Sequence, residues 1–214
     1  QRLPAHLAEV ARGRDCLWIL SRAGEIWFCQ GVSSEKPQAR WSGHVAGRLE
    51  RVAAAPGSVW GINESGGLFV RLGISREHPA GHSWQQVEGR YRSVAAGRAG
   101  VWAVDGSGRL LRRTGVTPDH PAGDGWQAAG DGCAWVSTGA GRLWVVGEDG
   151  AARCRPVTAP DAADAPDWTR VEGPLRRVET GPAGVVWALS KEGSLLVRNG
   201  ITDDQPAGTG WAAL

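Results

Sequence analysis

The chain has 214 residues, 42% of them hydrophobic, enough to bury a core as one domain or a tight array. A formal net charge of +2 with both signs interspersed gives no field that points to nucleic acid, and no apolar run reaches the length of a membrane span. Gly (32) and Trp (12) are in excess, while Met is absent even at position 1, so the sequence reads as a processed chain or an excised fragment without a signal-peptide pattern at its start.

In chain order, the predicted strands come in sets. HLAEVARG (6–13) opens the first set and has its counterpart in RLERVAAA (48–55). A hairpin centred on Arg22-Ala23 follows, with Trp18 and Trp27 on its arms. In the second set LERVAAAP (49–56) precedes SVWGIN (58–63), a short Gly-bearing link, GGLFVRLG (66–73) and WQQVEG (84–89). YRSVAAGR (91–98), GVWAVD (100–105) and GRLLRRTG (108–115) repeat that order. GRLWVV (141–146) and WTRVEG (168–173) belong to a fourth set, and LRRVETGP (175–182), GSLLVRNG (193–200) and WAAL (211–214) to a fifth. These segments are rich in β-formers, alternate or run apolar over a few residues, and are bounded by Gly, as strands and hairpins are. No segment keeps a helical apolar stripe of useful length.

The tryptophans give the period. Trp18, Trp60, Trp102, Trp144 and Trp187 are separated by 42, 42, 42 and 43 residues, and Trp41, Trp84, Trp126, Trp168 and Trp211 by 43, 42, 42 and 43. Two interleaved series with one period mark a repeat architecture. Four short antiparallel strands per repeat suit a β-propeller blade, and the end units keep the pattern instead of turning into polar caps as a solenoid requires. The expected fold is all-β, a single domain over 1–214 built as a five-bladed β-propeller of four-stranded antiparallel blades. Its repeats run at about 6–47, 48–89, 90–131, 132–173 and 174–214. The first unit is read as lacking its own Trp-initiated strand, so WAAL (211–214) is expected to join the first blade and close the ring. A six-bladed ring would need a repeat missing from the sequence.

The unit L-x-x-V-x-x-G-x-x-x-V-W-A-V-D-x-x-G-x-L-x-x-R-x-G-[IV]-[ST]-x-x-x-P-A-G-x-x-W resembles the tectonin β-propeller repeat over essentially the whole chain. The likeness is specific at Arg71–Trp84, Arg113–Trp126 and Arg198–Trp211. The first copy has Cys29 at the Arg position, and the fourth keeps Arg155 and Trp168 but loses both glycines. The resemblance implies a multivalent carbohydrate-binding lectin of innate pattern recognition, taking glycans or bacterial lipopolysaccharide through repeated shallow sites. Such a protein is expected to be secreted, monomeric and without a cofactor. The alternative it implies is an intracellular interaction or lipid-binding module of the autophagy or membrane-damage type, cut from a larger protein.

Candidate ligand-binding residues follow from position in the repeat. Trp41, Trp84, Trp126, Trp168 and Trp211 end polar loops at one rim, where an indole could stack on a sugar or anchor the next strand. Arg71, Arg113, Arg155 and Arg198 recur at one position, either to clamp phosphate or carboxylate or to pair with a loop acid near Asp119 or Asp203. Trp135, whose equivalents include Arg51 and Ser93, is expected to face outward and is a ligand candidate. His78 and His120 read as loop-surface residues. Asp161, Asp164 and Asp167 could hold calcium but lack the Asp-x-Asp-x-Asp-Gly spacing, which favours a solvated loop. Pairing about Arg22-Ala23 places Cys16 opposite Cys29, where a disulfide is admissible, whereas Cys133 and Cys154 are expected free and buried. With no C-x-x-C pair and no catalytic motif, neither a zinc site nor an enzyme is expected.

Overall fold

The computed structural model describes residues 6–13, 15–32, 41–157, 168–181 and 183–214, apart from the side chains of Trp41 and Ser42. Asp161, Asp164 and Asp167, and the indole of Trp41, lie outside the described residues. The described chain is all-β and antiparallel, arranged in four-stranded units. The first unit is β1 (Leu7–Arg12), β2 (Cys16–Ser21), β3 (Glu25–Gln30) and β4 (Trp41–Arg48), paired in that order. The second contains β5 (Arg51–Ala55), β6 (Ser58–Ile62), β7 (Gly67–Leu72) and the first half of β8 (Ser83–Gly97). The second half of β8 then becomes the inner strand of the third unit, with β9 (Gly100–Asp105), β10 (Leu110–Arg113) and β11 (Trp126–Gly130). The fourth comprises β12 (Cys133–Gly139), β13 (Arg142–Gly147), β14 (Ala152–Pro156) and β15 (Thr169–Val171). The fifth comprises β16 (Leu175–Thr180), β17 (Val186–Ser190), β18 (Leu195–Asn199) and β19 (Gly210–Ala213).

Packing follows from the period-two faces of these strands. Each of the four hydrophobic cores lies between two consecutive units, none inside a single sheet. Trp18, Leu20, Ile26 and Phe28 of the first unit pack with Val52, Val59 and Trp84 of the second, for example. Trp144, Val146 and Cys154 of the fourth pack with Val178, Val186 and Trp211 of the fifth. Trp18, Trp60 and Trp144 are fully buried in these layers and Trp102 nearly so, whereas Trp187 of the same series is exposed.

Two expectations about pairing are corrected. The C-terminal strand does not join the first unit. β19 pairs with β18 of its own unit, Arg198 facing Trp211 and Leu196 facing Ala213. The first unit needs no borrowed strand because β4, beginning at Trp41, completes it. Among the described residues no ladder joins the first and fifth units.

The second correction concerns the cysteines. Leu17 faces Cys29 and Cys16 faces Gln30, one residue out of the expected register, and both thiols are free. The cause is the turn, where Gly24 N–H donates to the Ser21 carbonyl and Gly24 adopts φ 79°. That left-handed residue makes the loop one residue longer than a two-residue hairpin turn, and a slip of one sends the two thiols to opposite faces. Cys133 and Cys154 are free and buried.

A candidate ligand-binding rim

The recurring loop joins the third and fourth strands of a unit, and three copies share one construction. In the second unit the Arg71 guanidinium donates from Nε to the Ala80 carbonyl (2.7 Å) and from Nη2 to the Gly81 carbonyl (3.3 Å). Arg113 does the same to Ala122 and Gly123, and Arg198 to Ala207 and Gly208. Each guanidinium also lies over the Trp that ends its loop, 5.1 Å from Trp84 and 5.0 Å from Trp126 and Trp211. The glycine of P-A-G sits at φ 61°, 65° or 68°, so its carbonyl turns back toward the arginine. Pro precedes it at the second position of a turn closed by Gly81 N–H donating to the His78 carbonyl, where a fixed φ is favourable. Ser75, Thr117 and Thr202 each accept the N–H three residues on at 3.0 Å, which explains the [ST] of the motif.

The arginines therefore bind their own loops, and neither Asp119 nor Asp203 is their hydrogen-bond partner. Burial lowers the pKa of Arg71, Arg113, Arg155 and Arg198 without discharging them. Arg155 sits 4.6 Å over Trp168 and 5.7 Å from Trp102 of the third unit. The half-buried indoles tie units together: Trp84 Nε1 donates to the Ala46 carbonyl of the first unit and Trp211 Nε1 to the Glu172 carbonyl of the fourth. What the loops offer to solvent is their polar tips: Arg76, Glu77 and His78; Pro118, Asp119 and His120; Asp203, Asp204 and Gln205. His120 Nδ1 lies 3.2 Å from Asp124.

Substituting Arg113 tests this construction. Arg113→Ala is expected to cost about 1–3 kcal/mol, because two loop carbonyls lose a charged donor and the Trp126 face is uncovered. Arg113→Lys should recover less than half, since an ammonium lacks the planar fork. Denaturant unfolding, with limited proteolysis at residues 114–125, measures both.

Trp135 is corrected outright. It is buried at the axis, where equivalent inner-strand positions of all five units point: Glu9, Arg51, Ser93, Trp135 and Arg177. Arg177 stacks 4.2 Å from its ring and Arg51 5.3 Å, and its Nε1 donates to the Val178 carbonyl. Glu9 Oε2 is 3.9 Å from Arg51 Nη1. Burial raises the Glu9 pKa to about 7 against the pull of Arg51 and Arg177, and Glu179 beside it, exposed at one edge but crowded by the axial side chains, is raised in the same direction. The 42-residue spacing of these five positions was visible in the sequence, but nothing in it says whether a strand's first face is axial or solvated.

At the opposite strand ends a shallow concavity of about 370 Å³ is lined by Asp131, Glu148, Asp149, Arg153 and Arg170, none of which the sequence singled out. Among the described residues no His, Cys, Asp and Glu side chains cluster as a metal site, and no helix is long and apolar enough to cross a membrane.

Comparison with solved structures finds the same architecture at low identity. Human WBSCR16 superposes with a TM-score of 0.59 at 15% identity over 84% of this chain and 56% of that one. Yeast RCC1 (Prp20), in a structure bound to Kap60, gives 0.59 at 11% identity over 97% of this chain and 62% of its own. Glutaminyl cyclase of Myxococcus xanthus gives 0.51 at 12% identity over 96% and 90%. The chain thus spans about three fifths of the first two. No curated protein matches by sequence. The Propeller family matches residues 185–214 and the Tectonin domain family residues 1–148. Covering more than half of the sequence and agreeing with the loop construction just described, the second match places this chain in the Tectonin domain family.

Proposed function

We propose that this protein is a multivalent lectin-like binder, built as blades of a β-propeller, that recognises glycans such as bacterial lipopolysaccharide through weak sites repeated around one rim. The observation that carries the reading is the triplicate loop. Three segments far apart in sequence use the same Arg, Ser or Thr, Pro and Gly to hold one shape, and all three residues of the exposed tip vary among them. A shape held three times with variable polar tips suits binding to a repeating polymer, since rigid repetition converts weak single contacts into avidity. The Arg–Trp pair supports each loop, and ligand contact falls to residues such as Glu77, His78, Asp119, His120, Asp204 and Gln205, with the half-buried indoles of Trp84, Trp126, Trp168 and Trp211 as further candidates. Carboxylate, amide and imidazole groups are suited to sugar hydroxyls. The reading is of binding without catalysis or cofactor, and its setting is extracellular.

A glycan array and immobilised lipopolysaccharide test it. Binding is expected to fall at least tenfold in the triple variant Glu77→Ala, Asp119→Ala, Asp204→Ala, and only slightly in any one alone. Background-level signal on every glycan, together with capture by anionic liposomes, would replace it with the lipid-binding module.

A further inference from the structure

The buried layers between units identify a surface that lacks its partner. Trp18, Trp60, Trp102 and Trp144 are 0–3% exposed, whereas their equivalent in the fifth unit, Trp187, is 39% exposed. Ile26, Leu68, Leu110 and Ala152 are fully buried, and their equivalent Leu195 is 49% exposed. The complementary face of the first unit shows the same change. Val52, Val94, Val136 and Val178 are at most 8% exposed and Val10 is 53%. Two apolar faces, made of positions that every other unit buries, stand open on either side of the one gap in the sequence of layers.

The four layers already formed specify what fits. Trp18 is covered by the next unit's Trp84, with Ile74 and Ala80 of its loop, and Trp144 by Trp211, Ile201 and Ala207. The cover for Trp187 is therefore a sheet whose outer strand begins with Trp and whose loop carries Ile or Val and P-A-G. The cover for Val10 is the opposite face of such a sheet, the Trp of its second strand and its neighbours, as Trp18 covers Val52. One four-stranded repeat carries both. The inner strands of the second and fifth units already converge on one ring. Arg51 of the second unit and Arg177 of the fifth reach the same Trp135 ring, and Glu9 of the first unit lies within electrostatic reach of Arg177.

We propose that the faces bearing Trp187 and Leu195 on one side and Val10 on the other are a docking seam for one further tectonin-type repeat of the same polypeptide, which inserts between the fifth and first units and completes the wheel. The occupant is defined by continuity with the four interfaces present, and the proposal is independent of what the rim binds.

The test extends the full 214-residue chain at Leu214 with a second copy of residues 88–130, the repeat phase that follows β19. A parallel fusion carries residues 46–88. Hydroxyl-radical footprinting of the peptides holding Trp187, Leu195 and Val10 is expected to show at least threefold protection in a fusion, with a higher thermal midpoint. Trp187→Asp should abolish both effects while leaving the unextended chain folded. Unchanged footprints and midpoints in both fusions overturn the proposal. So does a concentration-dependent dimer of the unextended chain that protects Trp187 and is dissociated by Trp187→Asp, because a second copy would then own the seam.

Discussion

Trp135→Ala is expected to destabilise the fold by about 3–5 kcal/mol, the usual range for emptying a buried indole site. For a chain of this size, at about 2–4 °C per kcal/mol, the thermal midpoint should drop by roughly 6–20 °C. The indole is enclosed, its N–H is satisfied by the Val178 carbonyl, and two guanidinium groups lie over its ring. Removing it deprives Arg51 and Arg177 of the ring they share, so the repulsion between these like charges adds to the lost packing. Trp135→Phe should restore most of the volume and both cation contacts and cost less than half as much. Trp187→Ala is the internal control: the same residue type at a 39% exposed position should cost about 1 kcal/mol or less. If Trp135→Ala and Trp187→Ala shift the midpoint equally, the axial role of Trp135 is wrong.

The contrast shows what the sequence carried and what it did not. Strand identity was legible because period-two apolar runs bounded by Gly have few other solutions. The predicted segments 58–63, 66–73 and 100–105 coincide with β6, β7 and β9 to within a residue or so at their ends. The P-A-G loop was legible as a turn. Its arginines were not, because a guanidinium can bind its own backbone or a ligand with the same sequence signature. Only the carbonyl geometry, fixed by glycines at positive φ, decides between them. The Cys16–Cys29 bridge failed on a single turn residue, since register alternates faces and Gly24 adds one position. Closure by the tail strand failed for another reason. The 42-residue phase is equally consistent with contiguous units and with a borrowed strand, and the pairing of β19 with β18 is a choice between two edges of equal chemistry.

Asp161, Asp164 and Asp167 drew notice as a calcium candidate. That loop lies outside the described residues; among the described carboxyl groups those raised furthest are Glu9 and Glu179, which no motif marks and which matter because the repeat brings them to the axis. A strongly bound carboxylate of the opposite kind is Asp105. Burial there would raise its pKa, but donation from the Ser107 hydroxyl, the Arg109 backbone and side chain, and the Ser107 N–H pulls it down to about 2. Asn63, Ser21 and Ser190 hold the equivalent hairpins with one side-chain oxygen each, so the device belongs to the turn and not to a ligand site.

Stability should fall as pH rises from about 4.5 to about 7, chiefly through Glu9. Its folded pKa of about 7 lies above the ordinary 4.5, so the native state holds the proton more tightly than the unfolded chain does. The contribution is therefore complete below about pH 4.5, declines through the window between the two values, and is absent above about pH 7. In full exclusion from water the shift corresponds to about 3 kcal/mol, and partial wetting of the axis reduces this to about 1–2 kcal/mol. Glu179 shifts in the same direction, but its side chain is open to water at the axis, so its share is the smaller one. Asp105 acts in the opposite sense only in acid, its stabilisation present above about pH 3.8 and lost as pH falls toward 2, so it does not overlap this window. Glu9→Gln removes the titrating group while keeping its shape. The variant should match the parent chain near pH 4.5, exceed it by about 1–2 kcal/mol at pH 8, and flatten the urea midpoint across the window. Arg177 and Arg51 both face Glu9, and the variant leaves their charge uncompensated, which sets the upper bound on that gain. A Glu9→Gln chain that tracks the parent at every pH from 4.5 to 8 would show that the axial carboxylate is ionised throughout and solvated like any surface acid.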